Sequence, residues 1–204
     1  MSVNKKESSE RRGRPRAFNT EEALDRALQV FWQKGYEGAS LDELTEAMKI
    51  SRPSLYAAFG DKESLFKKAL DRYVNGPLSF MREALKEPTA RAVVEHLLLG
   101  AVNLQADPST PPGCLMVHGA LVCGDVADSI GRELNTRRAA DEARLRRRLL
   151  RAKAEGDLPP DAKPADLARY VVTIIRGMAV QATGGASPHE LRRVVLIALR
   201  AWPE

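Results

Sequence analysis

Apolar positions along residues 20–75 recur at intervals of three and four and never alternate, the spacing of helices with one buried face. In TEEALDRALQVFWQKG, Leu24, Ala27, Leu28 and Phe31 share a face; Thr20 is the expected cap and Lys34-Gly35 the expected stop. A second helix is predicted from Ser40 to about Met48, because Ser40 and Glu43 have the Ser-x-x-Glu spacing of a capping box. A third is predicted from about Arg52, with Ser51 as its cap and Pro53 in a first turn that has no use for the missing amide hydrogen. It is short: Leu55 and Phe59 form its one apolar face, and Gly60 is expected to leave in the left-handed αL conformation. Asp61 and Ser64 then cap a fourth helix, whose Lys62 places a cation where the helix dipole favours an anion. An external anion near Lys62 would remove that conflict.

Only Lys49, Ile50 and Ser51 separate the second helix from the third, which makes the pair a helix-turn-helix. The third helix then offers its small polar face to the major groove, and that role accounts for its shortness. Beyond Leu65 the pattern stays helical over Leu65 to Val74, Ala90 to Gln105, Leu115 to about Arg151, Ala165 to Gln181 and Pro188 to Trp202. Breaks fall at Asn75-Gly76-Pro77, at 107–113, at 156–160 and at Gly184-Gly185. The run RLRRRLLR is expected to be an amphipathic helix with Arg144, Arg147, Arg148 and Arg151 on a solvated face.

With 204 residues, 44% of them hydrophobic, the chain can hold a small module and a larger one. Its net charge is +5, and residues 1–16 carry six basic side chains against two acidic ones, so most of the excess sits in one arm. Placed before a helix-turn-helix, Arg11, Arg12, Arg14 and Arg16 are read as a phosphate-seeking or minor-groove arm, and the stretch RGRPR resembles an AT-hook. No apolar run reaches the roughly 18 residues of a membrane span, and there are two cysteines. A cytoplasmic protein without membrane association is expected.

The stretch SLDELTEAMKISRPSLYAAFGDKESLF resembles the tetracycline-repressor (TetR) family of bacterial transcription regulators, and the match runs from Thr20 to about Phe66. The resemblance implies an all-α homodimer in three parts: an arm at 1–19, a three-helix DNA-binding domain at 20–66, and a larger helical domain for ligand and dimer at 67–204. It implies that Arg52, Pro53 and Ser54 approach bases and that Ser40, Tyr56 and Lys62 approach phosphates. Arg52 has the chemistry for a bidentate guanine contact. Ala57 and Ala58 are smaller than many family members carry, which leaves base contacts on that side open. A small, largely apolar inducer, palindromic operator DNA and a second copy of the chain are the expected partners.

In that frame the middle helices line the pocket. Nine of the eleven aromatic residues lie in the first 80 positions, which argues against an aromatic cage. Cys114, His118 and Leu121 share a face if the helix starts at Gly113, and Phe80, Met81, Met116 and Met178 are candidates for adaptable apolar wall. The last two helices carry Leu167, Val171, Ile174, Leu191, Val195 and Leu199, stripes suited to the four-helix interface through which the family pairs.

Two other function classes are weighed. A redox or metal sensor would use Cys114, His118 and Cys123, but no further ligands are spaced to complete a metal site, so no metal and no cofactor is expected. Nine residues of continuous helix turn about 900° and rise roughly 13 Å, which would set the two cysteines on opposite sides. An enzyme would need a nucleophile and base, and no convincing pair is found among the three histidines.

Overall fold

The computed structural model describes residues 18–118 and 128–203, and among these it is wholly helical. Ten helices follow in order: α1 (Thr20–Gly38), α2 (Leu41–Met48), α3 (Arg52–Phe59), α4 (Lys62–Asn75), α5 (Phe80–Ala84), α6 (Ala90–Ala106), α7 (Leu115–His118), α8 (Asp128–Ala154), α9 (Pro164–Thr183) and α10 (Pro188–Arg200).

Local chemistry sets the helix ends, with several departures from expectation. The cap of α1 is Asn19, whose side-chain oxygen accepts from the amides of Glu21 and Glu22; Thr20 is already the first helical residue. Gly35, at φ 71° and ψ −178°, breaks α1 as expected, but one further turn follows and continues to Gly38. Ser40, Ser51 and Asp61 cap α2, α3 and α4 in turn, and the Ser40–Glu43 capping box is complete in both directions. Gly60 has positive φ (82°), yet its ψ of −137° is not αL but a region open essentially to glycine alone. The left-handed residue of this module is Lys49 (φ 56°, ψ 43°), in the turn between α2 and α3. Of the long helix expected over Leu115 to about Arg151, α7 and α8 are helical as expected, and residues 119–127 between them lie outside the described residues. Helix α5 was not foreseen; five residues are too few for periodicity to reveal.

The N-terminal core is aromatic. Phe66 of α4 meets Phe31 edge-on at 5.0 Å and Tyr36 at 5.1 Å, and Tyr73 meets Trp32 at 4.6 Å. Such pairs each contribute about 0.5 to 1.5 kcal/mol beyond the area they bury. At the rim, Arg72 of α4 grips both carboxylate oxygens of Asp25 on α1, at 2.7 and 2.8 Å. This core takes in the whole of α4 and reaches Leu115, Met116, Ile130 and Leu134, so the reading module and the larger domain share packing. A second core joins α6, α8, α9 and α10. Arg148 belongs to it: the solvated face expected for α8 is only partly so, because this arginine, 6% exposed, donates to the carbonyls of Glu87 and Pro88 at 2.7 and 3.0 Å. Arg144, Arg147 and Arg151 are exposed.

The capping box makes a prediction. A hydrogen bond from Lys34, then bonds from the Ser40 amide and hydroxyl, hold Glu43 down at about 2 against an ordinary 4.5. A carboxyl depressed in the folded state stabilises above its unfolded value, and that contribution disappears as pH falls through the folded one. The difference in melting midpoint between wild type and Glu43→Gln should therefore be full above pH 4.5 and vanish toward pH 2. A difference independent of pH would refute this account of the cap.

Candidate nucleic-acid interface

Helix α3 is anchored from below and free above. Leu55 and Phe59 are buried in the N-terminal core, while Arg52, Pro53, Tyr56 and Ala57 are exposed and Ser54 is half-buried. Tyr56 is 50% exposed. The helix thus presents Arg52, Pro53 and Ser54 at its solvent-facing N-terminal turn. Ser54 is not idle: its hydroxyl lies 2.9 Å from that of Ser51, whose oxygen also accepts from the Ser54 amide.

Arg52 has a partner that sequence reasoning missed. Its Nη2 and Nε donate to the Asp42 carboxylate on α2, at 2.6 and 3.2 Å. The guanidinium is therefore parked across the two helices of the helix-turn-helix, and it must leave Asp42 to meet a base. Both side chains are exposed, so the pair is worth about 0 to 1 kcal/mol and the release costs little.

Lys62 resolves its helix-dipole conflict internally. Its ammonium sits 4.5 Å from the centroid of the Tyr36 ring, on the face where the quadrupole attracts a cation. Burial pushes the lysine down from its ordinary value against the pull of Glu37, and burial followed by Glu63, Glu37 and Asp61 pushes the Tyr36 phenol up. Tyr36 thus holds the charge in place beside the N-terminus of α4. Ser40 spends its hydroxyl on the capping box, donating to Glu43 at 2.9 Å and accepting from the Glu43 amide at 3.2 Å. The arm residues Arg11, Arg12, Arg14 and Arg16 lie outside the described residues.

Away from this face, a small cavity of about 50 Å³, open in part to solvent, lies among α5, α7, α8 and α9. Met81, Cys114 and Met116 line it together with Leu78, Val117, Val172 and Ile175. A second, smaller hollow of about 20 Å³ adjoins it, sharing Met81, Asp141, Val172 and Ile175. Four expected wall residues stand elsewhere or cannot be placed. Met178 is buried in the C-terminal core, Phe80 stacks against the Gly100 backbone in a different groove, and Leu121 lies outside the described residues. The backbone of His118 ends α7, and its side chain is likewise outside what is described. Cys114 precedes α7 rather than sitting within it. Sequence reasoning missed Arg138, Asp141 and Arg176 in this wall; a charged residue inside an otherwise apolar helical pattern gives no sign of whether it faces a cavity or water.

The cavity touches the reading module through the loop before α7. The Gly113 carbonyl accepts from the Trp32 indole of α1 at 3.3 Å and from the Gln105 side chain at 3.1 Å, and Gln105 in turn accepts from the Gly113 amide at 2.7 Å. Next to it, the Cys114 thiol and the Leu115 backbone lie near the buried Tyr73 hydroxyl of α4, which makes no hydrogen bond of normal geometry among the described residues. Burial pushes both groups up from their ordinary values.

Of the residues expected at a dimer contact, Val171, Leu191, Val195 and Leu199 are buried inside the protomer's own core, and Leu167 and Ile174 are half-buried against it. The apolar surface left open on the last two helices is a different set: Tyr170 and Val180 on α9, with Val194, Leu196 and Ile197 on α10. Two stripes coexist on α10, and packing against α6 and α9 chose the one that turns inward.

The geometry agrees with the kinship of the sequence. The profile of the bacterial regulatory proteins, tetR family, matches residues 23–69. The HTH-type transcriptional repressor ComR of Escherichia coli (strain K12) is 35% identical over 195 residues, covering 95% of this chain and 93% of that protein. The HTH-type transcriptional repressor BdcR of the same organism is 36% identical over 109 residues, 52% of this chain and 55% of that protein. Among solved structures, a cysteine-substituted variant of the TetR family transcriptional regulator CifR, complexed with 26-bp double-strand operator DNA, superposes with a TM-score of 0.90. It is 43% identical, over 94% of this chain and 100% of that one. The chain belongs to the TetR family of bacterial regulatory proteins, and it is a DNA-binding transcriptional regulator.

No helix among the described residues is long and apolar enough to cross a membrane.

Lys62→Gln should weaken binding to all DNA sequences alike and lower the salt slope by about one per protomer, the signature of a lost phosphate contact. Titrations on specific and random duplexes between 50 and 200 mM salt, on the order of the range where such slopes are measured, check this. A change in base preference would move Lys62 off the phosphates.

Proposed function

We propose that the protein is a ligand-responsive repressor that binds a palindromic operator as a homodimer and releases it when a small molecule occupies the cavity lined by Met81, Cys114 and Met116. The observation that carries this reading is the free N-terminal turn of α3, with Arg52, Pro53 and Ser54 presented above the buried Leu55 and Phe59. Residues 20–66 form the DNA-reading part and 67–204 the ligand and dimer part, with the arm at 1–19 tracking the adjoining groove. Dimerisation uses the open stripe of Tyr170, Val194 and Ile197, with Ile174 at its edge, and the buried stripe beneath braces it. Two recognition helices then meet successive turns of the major groove.

Release follows from the shared core. A ligand shifts the equilibrium only by its differential affinity for two states. Filling the cavity moves the loop before α7, which holds Trp32 of α1 and rests on Tyr73 of α4, so both helices that carry α2 and α3 feel the change. The coupling expected is about 1 to 3 kcal/mol.

A redox or metal-responsive regulator built on Cys114, His118 and Cys123 is the alternative. Cys123 and the His118 side chain lie outside the described residues, and a thiol pushed up by burial holds little of the reactive thiolate. Selection of bound duplexes from random DNA tests the main reading. An inverted repeat, bound by two protomers, is expected. A non-repeated site bound by one protomer would refute it. Operator release by peroxide alone, prevented by Cys114→Ser, would favour the alternative.

A further inference from the structure

The effector cavity carries unbalanced charge at one end, and from it we infer the chemical class of the effector: a small molecule with an apolar body and a carboxylate head seated between Arg138 and Arg176. This rests on the proposal that the cavity is the effector site. Leu78, Met81, Met116, Val172 and Ile175 supply the apolar wall, and Arg138 of α8 and Arg176 of α9 stand in the same lining.

These two guanidiniums differ from seven others in this chain. Arg26, Arg52, Arg72, Arg137, Arg144, Arg151 and Arg169 each pair with a carboxylate. Arg138 and Arg176 are half-buried, and among the described residues their hydrogen bonds go to neutral groups. Arg138 donates to the Met116 carbonyl at 3.0 Å and to the Asn135 side chain at 2.5 Å. Arg176 reaches only the Arg138 carbonyl, at a long 3.4 Å. The one acid in the lining, Asp141, is engaged by Arg144 at 2.6 Å from the cavity's edge.

The electrostatics lean the same way. Burial, and after it the charge of Arg176, push Arg138 down from its ordinary value. Burial also pushes the Asp141 carboxyl up, against the opposing pulls of Arg144, Arg176 and Arg137. Two like charges out of bulk water invite an anion between them, and a planar carboxylate matches the donor fork of a guanidinium. A cationic head would add to the repulsion. A neutral head could accept from these donors but would leave their charge uncompensated.

The head group also has a mechanical route to the reading module. Arg138 holds the backbone of α7 through Met116, two residues beyond the Cys114 that rests on Tyr73. An anion that draws Arg138 toward Arg176 pulls on that helix.

Matched series of one body and three heads test the inference: 4-phenylbutyrate, 4-phenylbutanol and 4-phenylbutylamine, with octanoate, octanol and octylamine beside them. Calorimetry on the full-length protein measures binding, and anisotropy of a selected, labelled duplex measures release. Charge-assisted bonds to one carboxylate are expected to favour the acids by about 10-fold or more over the alcohols and amines. Arg176→Gln should erase that preference without moving the melting midpoint, whereas Arg147→Gln, an exposed arginine of α8 outside the cavity, should keep it. Alcohols or amines that bind as well as the acids, no binding by any acid of either series, or an acid preference that survives both Arg176→Gln and Arg138→Gln would each overturn the inference. Release of DNA by a neutral compound alone would overturn it while leaving the ligand-responsive reading intact. Acids that bind through Arg176 yet leave DNA affinity unchanged would sustain the inference and refute the release mechanism.

Discussion

A chain carrying Ile197→Glu is expected to fold normally as a monomer and to bind operator DNA on the order of 100-fold more weakly, a loss of about 3 kcal/mol. Ile197 is 66% exposed within the protomer and stands beside Val194, so a charge there leaves the protomer's core untouched. In the proposed dimer the same charge would be buried in an apolar seam, where an unpaired carboxylate costs several kcal/mol. Each recognition helix covers one half-site, and losing the second removes its contribution to binding. Val195 makes the contrast: it is fully buried in the protomer, so Val195→Glu should unfold the helical domain instead. Sedimentation and thermal melting separate the two outcomes. An intact Ile197→Glu dimer with undiminished affinity would place the interface elsewhere.

Arg52→Ala is expected to relax base preference at one position in each half-site and to cost about 1 to 3 kcal/mol per contact, hence twice that per symmetric operator. Stability should hardly change, because the exposed ion pair with Asp42 contributes about 0 to 1 kcal/mol. Asp42→Asn should act in the other direction. It frees the guanidinium and removes a negative charge from the face that approaches phosphates, so affinity for random DNA should rise while the ratio of specific to random binding narrows. Parallel titrations of both variants on the selected operator and on scrambled duplexes decide this. An Arg52→Ala protein with unchanged preference would take the reading face away from the α3 N-terminus.

The helix-turn-helix was legible because its determinants are local. Ser40, Ser51 and Asp61 cap their helices through atoms three residues away, and the apolar spacing of Leu55 and Phe59 settles which side of α3 goes inward. Asn19 escaped because Thr20 beside it is an equally good cap type, and only the backbone path shows which of the two is still extended. The sequence by itself therefore determined the helices of the reading module, most of their ends and the family. The tertiary structure alone decided what depends on helices meeting: that Arg52 parks on Asp42, that Lys62 lies on Tyr36, that Arg148 turns inward, and that Arg138 and Arg176 face one cavity. It also decided which of the two apolar stripes of α10 is spent on the protomer's own core. Either stripe satisfies the helical period, and only burial against α6 and α9 leaves Val194 and Ile197 at the surface for a second copy.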